Sequence, residues 1–431
     1  MLNRNEVKTM LHAAIIAVGA ALLLLLAVDP DKAFAEGRQL LAAVIQVDNS
    51  PIVQALTNNT STPELLKKVD EAKKLLAVVE PKVGSVDIRY TEERVAIGSN
   101  GKVSVSHKKM SDPELEIPLA LLETATGKIQ IVTVIHRGNE IISPDKYPIS
   151  IVQRANGIRW NWWNTEYLPP RGYVVLANKY PEVGYHDVVV GYKTVRGKQK
   201  AVTENRPYLA GSFAYAPYSE GLHTPEMVQA GREYLQKLAW DARETLRDRG
   251  VKSQAFPGSA IADVGQLQLE FFEHLPIIEQ SDMTEFTLNP RRTAERVLIR
   301  IAANGSDAFT HTGNSAGAYG LMQFTDNGKG GTYSAMRRLY PEAKLPASFR
   351  VGAGTDLTAM MAAMLLHDNN LKDLINKFGS NIAESAQLEE YLAAAYNGAP
   401  RHTHSSLTAF FTLVCLTGFL DKVFEKKRKA T

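Results

Sequence analysis

The apolar residues of this chain change their spacing twice, and that change limits the folds open to it. Ser61-Thr62-Pro63-Glu64 combines a capping box with a proline in the first turn, the signature of a helix start. Leu65, Leu66, Val69, Ala72, Leu75 and Leu76 then share one stripe, with Lys67, Lys68, Glu71 and Lys74 largely opposite, as in a helix packed on one side. From about Gly84 to Pro217 the spacing becomes that of short strands, such as Ile129–Ile135, Tyr173–Leu176 and Val188–Tyr192, separated by Gly, Pro and Asn turns. Helical spacing returns at Thr224-Pro225-Glu226, running from Met227 to Arg249 before Gly250, then over about Val264–Glu279 and Pro290–Asn304. An α+β, multidomain chain is expected, with a β-rich middle and a mostly α C-terminal part.

At 431 residues the chain exceeds what one core usually supports, so more than one compact unit is expected. The expected divisions are an N-terminal segment at 1–35, a helical segment at 36–82, a β-rich domain at 83–220, a helical connector at 221–289 and a C-terminal domain at 290–431. With 49 Lys+Arg against 46 Asp+Glu the formal charge is +3, which gives no field directed at nucleic acid. The single cysteine, Cys415, excludes an internal disulfide, and its apolar neighbours fit an inert packed thiol.

Residues 1–35 carry Arg4 and Lys8, an apolar run from Ala13 to Val28 and then Ala33-Phe34-Ala35, a small-x-small cleavage pattern. Either a cleaved signal peptide or a retained membrane anchor fits, the run being a little short of the roughly twenty residues of a spanning helix. Both place the body of the protein outside the cytoplasm, in the periplasm or cell envelope, and leave membrane contact to an uncleaved N-terminus.

The most specific motif is Ser315-Ala-Gly-Ala-Tyr-Gly-Leu-Met-Gln-Phe324, whose small residues allow a tight turn beside an apolar wall carrying one amide. Downstream stands Ala394-Ala-Tyr-Asn-Gly398. Together these resemble the Ser-x-x-Gly-Ala-x-Gly-Leu-Met-Gln and Ala-Tyr-Asn motifs of the lytic transglycosylase and goose-type lysozyme-like family. The resemblance covers the chain from Pro290 onward, with Thr332-Tyr333 and the helix from Asp356 to Leu366 where that family has intervening helices, and Phe419–Val423 at its closing one. It implies a lysozyme-like fold, binding of peptidoglycan glycan strands, and cleavage between N-acetylmuramic acid and N-acetylglucosamine with a 1,6-anhydro product. It also implies no metal or cofactor. Ser315, Gly317, Gly320, Met322, Gln323, Tyr396 and Asn397 carry over as substrate-binding or wall residues. Each also has a purely structural reading, as part of a packed turn or a buried Tyr-Asn pair.

The resemblance further implies one glutamate, which protonates the leaving oxygen and then takes the proton of the C6 hydroxyl. The matching position, at the end of the helix before the Ser-x-x-Gly-Ala loop, holds Gly305, which transfers no proton. Glu279, Glu285 and Asp307 are the alternatives for this acid. Glu279 follows Ile277 and Ile278, a setting that raises a carboxyl pKa, although a solvated or capping carboxylate has the same sequence signature. Glu285 shares that bland reading, and Asp307 reads equally as a turn cap. Without the acid, the domain becomes a holder of glycan, or a scaffold whose β-rich part recruits other cell-envelope proteins.

Other clusters resolve to blander readings. Trp160, Trp162 and Trp163 suit core packing as well as sugar stacking. His402 and His404 lack a third ligand for a metal. Lys426–Lys429 reads as a solvated basic end.

Overall fold

The computed structural model describes residues 62–97, 103–138, 140–152, 165–310, 312–313, 317–326, 330–385 and 388–398. The N-terminal apolar run, the tryptophan cluster, His402, His404, Cys415 and the basic end lie outside these residues. By internal contacts the chain divides into two units, 1–59 and 60–431, and all the described residues belong to the second. The β-rich and helical parts share one buried core.

The reason is the sheet, which around Leu115–Leu122 is buried on both faces. It is mixed in length and antiparallel throughout, ordered β4 (Glu140–Ile142), β3 (Ile129–Arg137), β2 (Val103–Glu123), β7 (Tyr173–Val195) and β8 (Lys198–Tyr215), with β1 (Lys82–Ile97) paired to the first part of β2. Along β2, Leu115, Ile117, Leu119 and Leu121 face a small core that includes Tyr147, Ile149 and Tyr167, beside the short pair β5 (Ser150–Ile151) and β6 (Tyr167–Leu168). The intervening Ala120 and Leu122 join the core of the helices. Period-two alternation thus sends successive side chains of one strand into two cores. The strands are longer than the segments expected: Tyr173–Leu176 and Val188–Tyr192 belong to one strand of 23 residues. Irregularities after Glu182 and Val189 absorb the local mismatch without ending it.

Helix α1 (Thr62–Ala77) lies on the sheet, burying Leu65, Val69, Ala72 and Leu76 while Leu75 stays exposed. Its last turn is closed by Lys179 of β7, whose Nζ donates to the Ala77 carbonyl at 2.7 Å. Helix α2 (Pro225–Asp248) begins on Thr224, whose hydroxyl accepts from the Met227 N–H, and ends before Gly250 at φ 66°. The expected helix from Val264 starts later, as α3 (Leu269–Glu279), because the Leu267 N–H closes a turn onto Val264 and Gln268 is extended. Asp282 caps α4 (Met283–Leu288), and Asn289 caps α5 (Pro290–Asn304). Helices α2 and α5 cross closely at Gly231, where an added Cβ would lie 2.1 Å from the Leu298 carbonyl oxygen. Helices α6 (Thr332–Leu339), α7 (Phe349–Gly354), α8 (Asp356–Phe378) and α9 (Leu388–Gly398) complete the unit. Among the described residues no helix is long and apolar enough to cross a membrane.

Candidate functional site

The two motifs of the sequence meet in space. Ala318–Tyr319 (β9) and Phe324–Thr325 (β10) pair antiparallel around the turn Gly320–Gln323. Gly320 has φ 76°, and a Cβ there would fall 1.8 Å from the Ala353 carbonyl oxygen, so α7 presses directly on backbone. Gln280, at the end of α3, donates its amide to the carbonyls of Gly320 and Leu321 at 2.9 and 2.8 Å. From α9 the Tyr396 hydroxyl donates to the Met322 carbonyl at 2.9 Å, and its ring meets Phe324 edge-on. The turn is held from three sides.

This arrangement divides the motif residues by role. Met322 is fully buried, so it supports the turn from beneath. Gln323 sits at φ 47° and folds its amide back onto the Gly320 carbonyl at 2.8 Å while remaining partly exposed. Gly317 is exposed at φ 83°. Ser315 and the side chain of Asn397 lie outside the described residues.

The three candidate carboxylates fall in different surroundings. Glu279 is partly buried at the end of α3, and its negative charge reaches the Tyr396 hydroxyl: burial first, and that charge second, push the tyrosine well above its usual range. Glu285 is paired with Arg296 across α4 and α5 at 3.1 Å, which gives it a bracing role between those helices. Asp307 is exposed in the single turn Gly305–Asp307 that follows α5. Gly305 itself has φ 57°, and a Cβ built on it meets nothing within 4 Å.

Sequence reasoning missed Asp356. It opens α8, is buried, and accepts the Tyr234 hydroxyl of α2 at 2.8 Å. Burial pushes its carboxyl up to about 7, the nearby Asp307 charge adds to this, and the tyrosine hydrogen bond works the other way. An acid in the first turn of a helix is ordinary, so nothing at the sequence level marks the position. Gln280 was missed as well, being a polar residue after an apolar run. Among the described residues no group of three or more His, Cys, Asp or Glu could hold a metal ion.

Compared with protein-family models, curated proteins and solved structures, the chain matches none.

Proposed function

We propose that the helical part of this chain has a lysozyme-like fold, binds peptidoglycan glycan strands and cleaves them as a lytic transglycosylase, with Glu279 as the acid. The observation that carries this reading is the place of the partly buried Glu279 at the end of α3, one residue before the Gln280 amide that holds the Gly320 and Leu321 carbonyls of the turn. Of the three candidates, Glu279 alone acts electrostatically on Tyr396 of the second motif, and its neighbour Gln280 bonds the first. Its half-buried position beside Ile277 and Ile278 suits a carboxyl that must carry a proton near neutral pH. In the proposed reaction Glu279 protonates the glycosidic oxygen as the bond to the muramic C1 breaks. The substrate acetamido group stabilises the cationic centre, and the Glu279 carboxylate then takes the C6 hydroxyl proton as that oxygen closes the 1,6-anhydro ring. The reading further proposes an exported protein, cleaved or anchored at its N-terminus, whose sheet contacts other envelope proteins.

Gly305 favours a second reading, a cleft that holds glycan without cutting it, since open space replaces a carboxyl where the resemblance implies one. Mass analysis of purified peptidoglycan incubated with the protein separates the two. New 1,6-anhydro ends that vanish in Glu279→Gln, but persist in Asp307→Asn, support cleavage by Glu279. Co-sedimentation with glycan and no new ends supports the holder. Neither new ends nor binding would sink both readings.

A further inference from the structure

The β7–β8 ribbon runs on after β7 has left β2. β7 pairs with β2 only as far as Asn178, while its pairing with β8 continues to Val195 opposite Lys198. A hydrogen bond of 3.4 Å from the Tyr185 hydroxyl to Asp87 ties the ribbon to β1 near its middle, and every residue from 192 to 205 is exposed. Arg196 and Gly197 close the end with φ 50° and 76°, as a two-residue turn of the type that matches strand twist.

The side chains at this end do not suit water alone. Tyr192 is 69% exposed, and Val189, Val190, Val195 and Val202 are exposed with it. Residues 192–203 contain Lys193, Arg196, Lys198 and Lys200 and no carboxylate. Among the described residues none of these four cations has an ion pair; the pair on the ribbon lies farther back, between Arg206 and Glu204. Lys193 stands directly opposite Lys200, and like charges in register weaken a strand pair. Lysines on a sheet edge do guard against edge-to-edge pairing, but a guard gains nothing from four exposed valines and a tyrosine beside it. A soluble polyanion would satisfy the cations and leave the apolar groups in water. A lipid headgroup layer takes both, phosphates for the cations and an apolar boundary for the rest.

We infer that the free end of the β7–β8 ribbon enters an anionic lipid surface end-on, so that Lys193 and Lys200 on one face share headgroup phosphates while Tyr192 on the other face and Val195 beside the turn enter the interface. This is independent of the glycan reading.

The test uses the full chain with an environment-sensitive dye on Thr194→Cys, in a Cys415→Ser background. Vesicles of phosphatidylcholine containing phosphatidylglycerol should shift the emission to the blue, and vesicles of phosphatidylcholine alone should not. Lys193→Ser with Lys200→Ser should weaken the vesicle affinity about thirtyfold, the effect of two cations near such a surface. Lys193→Arg with Lys200→Arg should keep it, which separates charge from ribbon folding. A dye that ignores anionic vesicles, responds equally to neutral ones, or responds equally in the serine variant overturns the proposal. A shift with dextran sulfate but not with vesicles would assign the site to a soluble polyanion, and a concentration-dependent shift without vesicles would assign it to a second copy of the chain. Either result replaces the lipid.

Discussion

Asn304 and Ala216 exchange two hydrogen bonds: the Ala216 N–H donates to Asn304 Oδ1 at 2.9 Å, and Asn304 Nδ2 donates to the Ala216 carbonyl at 2.8 Å. Both residues are buried, so a side-chain amide completes the backbone pairing just where β8 ends and fixes the last turn of α5 beside Gly305. Asn304→Ala leaves a buried N–H and C=O unmet and should cost about 2–3 kcal/mol, measured by urea denaturation.

Asp356 makes stability pH-dependent. Its carboxyl holds a proton up to about 7 in the folded chain and releases it near 3.8 when unstructured, so between these values the native state binds more protons. Stability from this group is therefore greatest below about 4, falls as pH rises toward about 7, and stays low above that. Asp356→Asn keeps an acceptor for Tyr234 and removes the titration. The melting-temperature advantage of the variant over the native chain should widen as pH rises through this window; a constant gap would refute the assignment.

Asp368 is a fully buried carboxylate with a structural task. Its oxygens accept from Ser253 Oγ at 2.5 Å, the Gln254 N–H at 2.6 Å and the Tyr340 hydroxyl at 2.8 Å, which tie the 253–254 loop and the segment after α6 to α8. Asp368→Ala should cost about 3 kcal/mol or more, because three donors lose their acceptor together. Hydrogen exchange should show the 251–260 loop opening first.

Two glycines of the candidate site should respond differently to alanine. Gly320→Ala combines positive φ with a clash against the Ala353 carbonyl, so α7 must move, and glycan binding should be lost along with stability. Gly305→Ala meets no atom but must adopt φ 57° with ψ −132°, a strain of about 1–3 kcal/mol, and should leave glycan binding unchanged. Thermal melts with glycan co-sedimentation compare the pair directly.

Local signals were legible wherever a residue acts on its own neighbourhood. The proline and cap at Thr224-Pro225, the span Pro290–Asn304 and the stop at Gly250 all followed from chain-local chemistry. The amphipathic stripe of α1 was equally plain, since burial of one face leaves a period in the sequence. Strand length was not legible, because Pro181 and Gly184 look like punctuation until a partner strand pairs across them.

Pattern and capping, which act within a few residues, determined which segments became helix or strand and where most helices begin. Partnership across the chain was decided by folding alone. Nothing near Gln280 in sequence announces the carbonyls of Gly320 and Leu321, and nothing near Asp356 announces Tyr234. The sharing of one core by sheet and helices likewise depends on Ala120 and Leu122 facing the helices while Leu119 and Leu121 face away. Such contacts join residues distant along the chain, and their strength comes from burial, a property of the folded assembly that no local window of sequence contains.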